Sequence, residues 1–375
     1  MTWLTHLTVL ALGSAGILWL SVQQHGEGWR ALVVLGLFGA VSLSLGALTE
    51  QLILFVSRRG QVLAGSVVLW TVFGIVLLGK PKALQTEHTL RLSGAFALYP
   101  LAVRWAEEFQ KVHPNVRFDI TGGGAGKGIT DTLAGLVDIG MCSREPHPEE
   151  LQKGAVFVPV AKDAVVATIH ERNPVRNLLL RKGVTKETLH AIWVTRRIKT
   201  WGQVVGTKDP SPIHVYTRAD AAGAAETWAK FLVGKEGKQE DLKGVGVSGD
   251  PGMAIAVARD PLGIGYNNIA FAYDHRTGKP IKGLLILPLD LNGDRKLDPS
   301  ENFYGSRHQL LHAIAAGHYP SPPARYLYFV TKGKPEGVVA MFLQWVLTEG
   351  QKIVPQAGFV PLTSSDALTA LQKVR

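Results

Sequence analysis

The apolar residues of this chain fall into two regimes. Residues 2–22, 31–49 and 61–79 are three runs of about 19–21 mainly apolar residues with no Asp, Glu, Lys or Arg inside those limits. Each is long enough to cross a bilayer core as a helix. The first run lacks the basic start of a signal peptide and two more spans follow it, so the pattern predicts three retained transmembrane helices. Arg58 and Arg59 make the loop between the second and third spans the most basic short loop. That places it in the cytoplasm and everything after Gly79 outside, at a cytoplasmic membrane. Residues 81–89 read as a linker, too short to carry the following domain far from the lipid bilayer.

From residue 90 onward short apolar runs alternate with amphipathic stretches. Leu90–Leu92, Val116–Ile120, Val137–Met141, Val156–Val160, Ala164–Ile169, Ile213–Tyr216 and Ile264–Tyr266 read as strands. Leu101–Gln110, with Trp105 and Phe109 on one face, Ile129–Leu136 and Ala221–Leu232 read as helices. This alternation predicts an α/β fold with helices packed on sheets. Charge and cysteine content narrow the setting. Of the net charge of +10, residues 1–88 contribute five basic and three acidic groups, so about +8 belongs to the large domain. A basic surface suits nucleic acid, anionic lipid or small anions. No nucleic-acid motif is present, and a domain outside the cytoplasm would not routinely meet nucleic acid. The single cysteine, Cys142, excludes an intramolecular disulfide and fits a domain large enough to build its own core.

The candidate chemistry centres on Ile120-Thr-Gly-Gly-Gly-Ala-Gly-Lys-Gly-Ile129, which ends one strand-like run and opens a helix-like one. Glycines let bare backbone N–H groups converge, and the helix start adds unpaired amides and a positive dipole end, which together can hold an anion. Two nucleotide motifs fail here. A Walker A loop would need Gly at Thr121 and Ser or Thr at Gly128, and no G-x-G-x-x-G register fits. The plain alternative, a tight turn and nothing more, stays open.

More of the chain then falls into one order: Ser93-Gly94 with Tyr99-Pro100, Trp105-Ala-Glu-Glu-Phe109, the glycine cluster and Asp138-Ile-Gly-Met-Cys-Ser-Arg144. Ala191-Ile-Trp193, Ile198-Lys-Thr-Trp201, Arg218-Ala-Asp-Ala-Ala-Gly-Ala224, Gly263-Ile-Gly-Tyr266 and Tyr319–Val330 continue it. In this order and spacing, over roughly residues 90–362, the chain resembles the PstS-like phosphate-binding proteins of ABC importers, of the type II periplasmic-binding-protein family. Three membrane spans in front are not typical of that family. The resemblance implies two α/β lobes joined by two or three crossing segments, with a hinged cleft that closes on phosphate or a similar oxyanion. Residues 90–165 and 266–375 would form the first lobe and 166–265 the second. An ABC permease in the membrane would be the partner.

Carried over position by position, the resemblance gives four contact loops: Ala95-Phe96-Ala97 with Leu98; Gly124-Ala125-Gly126; Ser143-Arg144; and Arg218 with Ala222-Gly223-Ala224. The family pattern has Ser-Thr-Thr in the first loop, Ser at Ala125, and Ser-Gly-Thr in the fourth loop, so three loops lose their hydroxyl donors. Each lost hydrogen bond to a charged ligand costs about 1.5–3 kcal/mol if nothing replaces it. Three readings therefore stand: amides plus Arg218, Arg144 and Ser143 still hold the oxyanion; the pocket has changed ligand, with Phe96 as a contact; or the domain is a membrane-anchored sensor or scaffold with a lost site. For single residues the plain alternatives are an ion pair for Arg144, a helix cap for Ser143 and a lobe-stabilising salt bridge for Arg218.

A second, independent pattern is the 12-residue segment Asp290-Leu-Asn-Gly-Asp-Arg-Lys-Leu-Asp-Pro-Ser-Glu301. Asp290, Asn292, Asp294, Asp298 and Glu301 fall at positions 1, 3, 5, 9 and 12 of a calcium loop, with the Lys296 carbonyl at position 7. Position 6 is Arg295 where glycine is usual. A structural Ca2+ is expected here; a solvated acidic turn is the alternative. No catalytic cofactor is expected. Ser143 has no histidine at motif spacing, and His308, His312 and His318 form no ligand pattern, so the chain is read as a binder and not an enzyme.

Overall fold

The computed structural model describes residues 87–375. The three apolar spans, and the linker up to residue 86, lie outside the described residues. Among those described, no helix is long and apolar enough to cross a membrane. The strands are β1 (His88–Gly94), β2 (Val116–Gly122), β3 (Ile139–Cys142), β4 (Ala155–His170), β5 (His214–Arg218), β6 (Val245–Val247), β7 (Gly263–Asn268), β8 (Leu284–Ile286) and β9 (Ala324–Lys332). The helices that matter below are α1 (Tyr99–Val112), α2 (Ala125–Leu133), α3 (Pro148–Gln152), α4 (Arg176–Lys182), α5 (Lys186–Trp193), α6 (Gly223–Val233) and α7 (Gly249–Arg259). The mixed α/β fold expected from the apolar pattern is present.

Strand order is β2-β1-β3-β9-β4-β7-β5-β6, with β8 on β4. One strand organises it. The first part of β4, Ala155–Ala164, pairs antiparallel with β9, and its last part, Val165–Ile169, pairs antiparallel with β7. The sequence pattern reads two separate strands there because Lys162-Asp163 interrupts the apolar run; both residues lie inside one continuous strand of 16 residues. Pro159, which has no N–H to give, sits at the register shift that lets the strand bend.

Two hydrophobic cores flank this crossing, and they define two lobes. Trp105, Phe109, Phe329 and Phe342 are fully buried in the first, and Trp193, Trp201, Trp228 and Tyr266 in the second. Three of these indoles also donate to backbone carbonyls: Trp105 to Gly350 (2.8 Å), Trp193 to Tyr216 (3.0 Å) and Trp201 to Leu262 (3.1 Å). Buried indoles with a satisfied N–H lock lobe geometry as well as burying area. The lobe boundary differs from the expected one. Residues 269–319 join the second core, because β8 pairs with the far end of β4 and Tyr319 donates its hydroxyl to the Val165 carbonyl at 2.7 Å. The chain returns to the first lobe through residues 320–323, into β9.

Candidate functional site

The four expected contact loops follow the C-terminal ends of β1, β2, β3 and β5, where α/β sheets ordinarily hold ligands. They do not contribute equally. After β1, the Ala95 amide donates to Met141 (2.8 Å), the Leu98 amide to Ala95 (3.1 Å) and the Tyr99 amide to Phe96 (3.2 Å). Ala97 and Leu98 are buried in the first core. This loop has closed on itself, and Phe96 is the residue it sends into the cleft. The Phe96 ring centroid lies 6.0 Å from the Arg218 guanidinium carbon, and the ring packs against Gly122 of the first lobe and Gly249 of the second.

The second and fourth loops meet face to face. The Gly126 amide donates to the Ala221 carbonyl across the cleft at 3.2 Å. Gly124 has φ +87°, and a Cβ there would come within 2.7 Å of the same carbonyl, so the contact requires glycine. α2 starts at Ala125, earlier than the apolar pattern predicts, with Gly124 as its N-cap. Neither α2 nor α6 has a side-chain N-cap. First-turn amides such as those of Ala125, Gly223 and Ala224 therefore have no intrahelical or capping partner, and both positive helix ends face one region. Ser143, almost fully buried, lies against Gly223 so closely that a Cβ on that glycine would meet the serine hydroxyl. The structure thus brings together Ala125, Gly126, Ser143, Gly223 and Ala224, while Ala97 and Leu98 belong to the core behind them.

Both arginines are already matched. Arg218, with 2% of its side chain exposed, donates to Asp220 from Nε (2.8 Å) and Nη2 (2.5 Å) and to Asp250 from Nη1 (2.8 Å). Arg144 makes a two-point contact with Glu150 of α3 and lies 3.2 Å from Glu226 of α6, so it ties the lobes together. Burial pushes the Asp220 and Glu226 carboxyls up. The bonds and charges of Arg218, and those of Lys230, His147 and Arg144, outweigh it and hold both below the ordinary range. Each arginine therefore faces two carboxylates, and the groups left without a partner at the starts of α2 and α6 are backbone amides.

Sequence reasoning missed most of these partners. Asp220 was readable two residues after Arg218, whereas Asp250, Glu150 and Glu226 come together only through the fold. Behind Asp250 the network continues into the crossing. Asn268 donates to Asp250 from its backbone (3.2 Å) and its side chain (2.7 Å), and accepts from Arg325 of β9. Asp163 of β4 lies 3.9 Å from Arg325, fully buried, with neither carboxylate oxygen in a hydrogen bond. Burial pushes its carboxyl up to about 7. A charged residue inside the apolar run of β4 was the only sequence sign of it.

Two lobes about a crossing strand, with helix starts aimed into the cleft between them, define the class. A PBP superfamily domain model matches residues 80–349, and the chain belongs to that superfamily, one of substrate-binding proteins and not of enzymes. Among individual proteins, it is 26% identical over 331 residues to Protein SphX of Synechococcus elongatus, covering 85% of this chain and 89% of that one. It is 28% identical over 321 residues to Phosphate-binding protein PstS of Pseudomonas aeruginosa, covering 78% and 89%. The crystal structure of an ABC-type phosphate transport receptor from Vibrio cholerae superposes with a TM-score of 0.53 at 20% identity, over 73% of this chain and all of that one.

Proposed function

We propose that the chain is an extracytoplasmic solute-binding protein that captures phosphate or a similar oxyanion for an ABC importer, held at the membrane by the three N-terminal apolar spans. The carrying observation is the meeting of the uncapped starts of α2 and α6 with Ser143 in one cleft. Helix-start amides bind anions without side-chain help, which answers the loss of the family's hydroxyls at Ala125, Ala222 and Ala224. The names of the relatives in Pseudomonas aeruginosa and Vibrio cholerae support phosphate as the ligand class.

The surplus of carboxylate in the cleft adds a preference. Asp220 lies at the amide cluster, with Oδ2 about 3.0 Å from where a Cβ on Gly124 would sit. A protonated oxyanion can donate to such a carboxylate: inorganic phosphate keeps at least one proton at neutral pH, because its last proton is lost only in strong base, whereas sulfate has none. In this reading Arg218 and Arg144 orient acceptors and lobes and need not bind the anion themselves. Ligand entry has to part the Gly126–Ala221 contact, so the free protein opens along the cleft. The expected outcome of calorimetry on the full chain is saturable one-to-one binding of phosphate and at least tenfold weaker binding of sulfate. No heat from either anion, on folded protein, overturns the proposal.

One observation favours a second reading, in which the ligand is a larger organic anion. Beside the amide cluster lies a groove of about 930 Å³, lined by Gly126, Arg144, Ala222, Glu226, Lys230 and Lys238 among others. Phosphate would leave most of such a space empty. Absent phosphate binding together with saturable binding of a phosphorylated or carboxylated organic molecule selects this reading.

A further inference from the structure

Away from the cleft, the loop Asp290–Glu301 holds a buried carboxylate oxygen, Oε2 of Glu301, that the rest of the protein leaves unmatched. We propose that this loop is a calcium site of the second lobe, a role that stands independently of the anion reading.

The loop is folded by its own side chains. Asp290 accepts the amides of Gly293 (2.8 Å) and Arg295 (2.9 Å), Asn292 that of Asp294 (2.9 Å), and Asp294 that of Lys296 (2.8 Å). Each of these oxygens keeps a second lone pair. Turns of this kind do not by themselves make a metal site; Glu301 does. It is 5% exposed, and its Oε1 accepts the amides of Leu291 (2.8 Å) and Asn292 (3.0 Å), which sets the carboxylate against the start of the loop. Its Oε2 is buried with no hydrogen-bond partner. Among the described residues no Lys, Arg or His lies within ion-pair distance of Glu301 or of the equally buried Asp290, and Lys296 reaches only Asp298 (3.0 Å). A buried carboxylate with an unbonded oxygen is costly, and a cation in the loop removes that cost.

The donor set names the cation. Every candidate ligand is a hard oxygen on a flexible loop, which suits Ca2+; Mg2+ demands a stricter octahedron, and Zn2+ favours nitrogen and sulfur. Among the described residues no three His, Cys, Asp or Glu side chains already stand together at metal distance. Binding therefore draws the exposed Asn292 and Asp294 and the half-buried Asp298 inward onto the buried pair. Arg295 already takes the left-handed turn, with φ +62°, that this loop needs at its sixth position. The loop is pinned to the C-terminal end of α4, where the Leu297 amide donates to Arg181 (2.8 Å) and the Asp290 amide to Val184 (3.1 Å). An ion here clasps the 290–301 segment onto the second lobe.

Thermal unfolding of the full chain in EGTA, against CaCl2 or MgCl2 up to 10 mM, tests this. Calcium is expected to raise Tm by several degrees with a midpoint at roughly 0.1–1 mM, the range of extracellular loops, and magnesium by less than half as much. Glu301→Gln keeps the amide-accepting oxygen and abolishes the calcium shift. Asp294→Asn, on the exposed rim, moves the midpoint up by about tenfold through the loss of one ligand charge, and it decides the matter should Glu301→Gln fail to fold. A wild-type Tm indifferent to calcium overturns the proposal. So does an equal shift with magnesium, or a full calcium shift at the wild-type midpoint in Asp294→Asn.

Discussion

The cleft and the loop at 290–301 are both crowded with charged side chains, and they balance them in opposite ways. In the cleft, Arg218 and Arg144 are each neutralised by two carboxylates before any ligand arrives. What is left unpaired is backbone amide, at the starts of α2 and α6. In the loop, the buried carboxylates Asp290 and Glu301 have no cation, Lys296 reaching only Asp298, and what is left unpaired is an oxygen of Glu301. The difference teaches where to look for a ligand. The count of arginines or aspartates says little, and the atoms still lacking partners after the fold has formed say which sign of charge a site receives.

The comparison is broken most severely at Arg218. Both it and Asp250 have 2% of their side chains exposed, so Arg218→Ala leaves a buried carboxylate unpaired and should cost about 3–5 kcal/mol in urea unfolding. Adding Asp250→Asn should recover more than half of that loss; equal costs in the single and double variants would mean that the pair is not a closed unit.

Next in size is the pH dependence of Asp163. Its carboxyl titrates near 7 when folded, against an ordinary value of 3.8, because burial disfavours its charge. The folded state therefore holds a proton that the unfolded state loses as pH rises. The stability this group confers is full below about pH 3.8 and is lost progressively as pH rises to about 7. Asp163→Asn should flatten the unfolding free energy across that window relative to wild type, and an unchanged slope would show the group to be ionised throughout. A smaller effect is expected at Arg295, where relief of a left-handed backbone in Arg295→Gly should stabilise the calcium-free chain by about 1 kcal/mol. Smallest is a surface pair outside both regions: Lys352→Ala, which removes the exposed contact with Glu349, should change stability by less than about 0.5 kcal/mol.

Much of this was legible in the sequence, and what was not has a physical reason. The strands show as apolar runs and α1 as an amphipathic stretch because those signals are local. The proposed calcium loop could be read for the same reason, since all its candidate ligands lie within twelve consecutive residues. The continuity of β4 was hidden because the partner that accommodates Asp163 is Arg325, far along the chain. The pairing of Arg144 with Glu226 is likewise non-local, so a guanidinium that reads as an anion contact turns out to join two lobes. The lobe of residues 269–319 was misplaced because nothing in their own pattern says that β8 returns to β4.

The most direct test of the central claim, that backbone amides hold the anion, is the phosphate affinity of Ala125→Pro. Proline at the first residue of a helix keeps the helix and deletes that one N–H. With Tm held near the wild-type value, the account predicts a loss of affinity of roughly 10- to 150-fold, the worth of one hydrogen bond to a charged group. Wild-type affinity in this variant, with the fold intact, would contradict it.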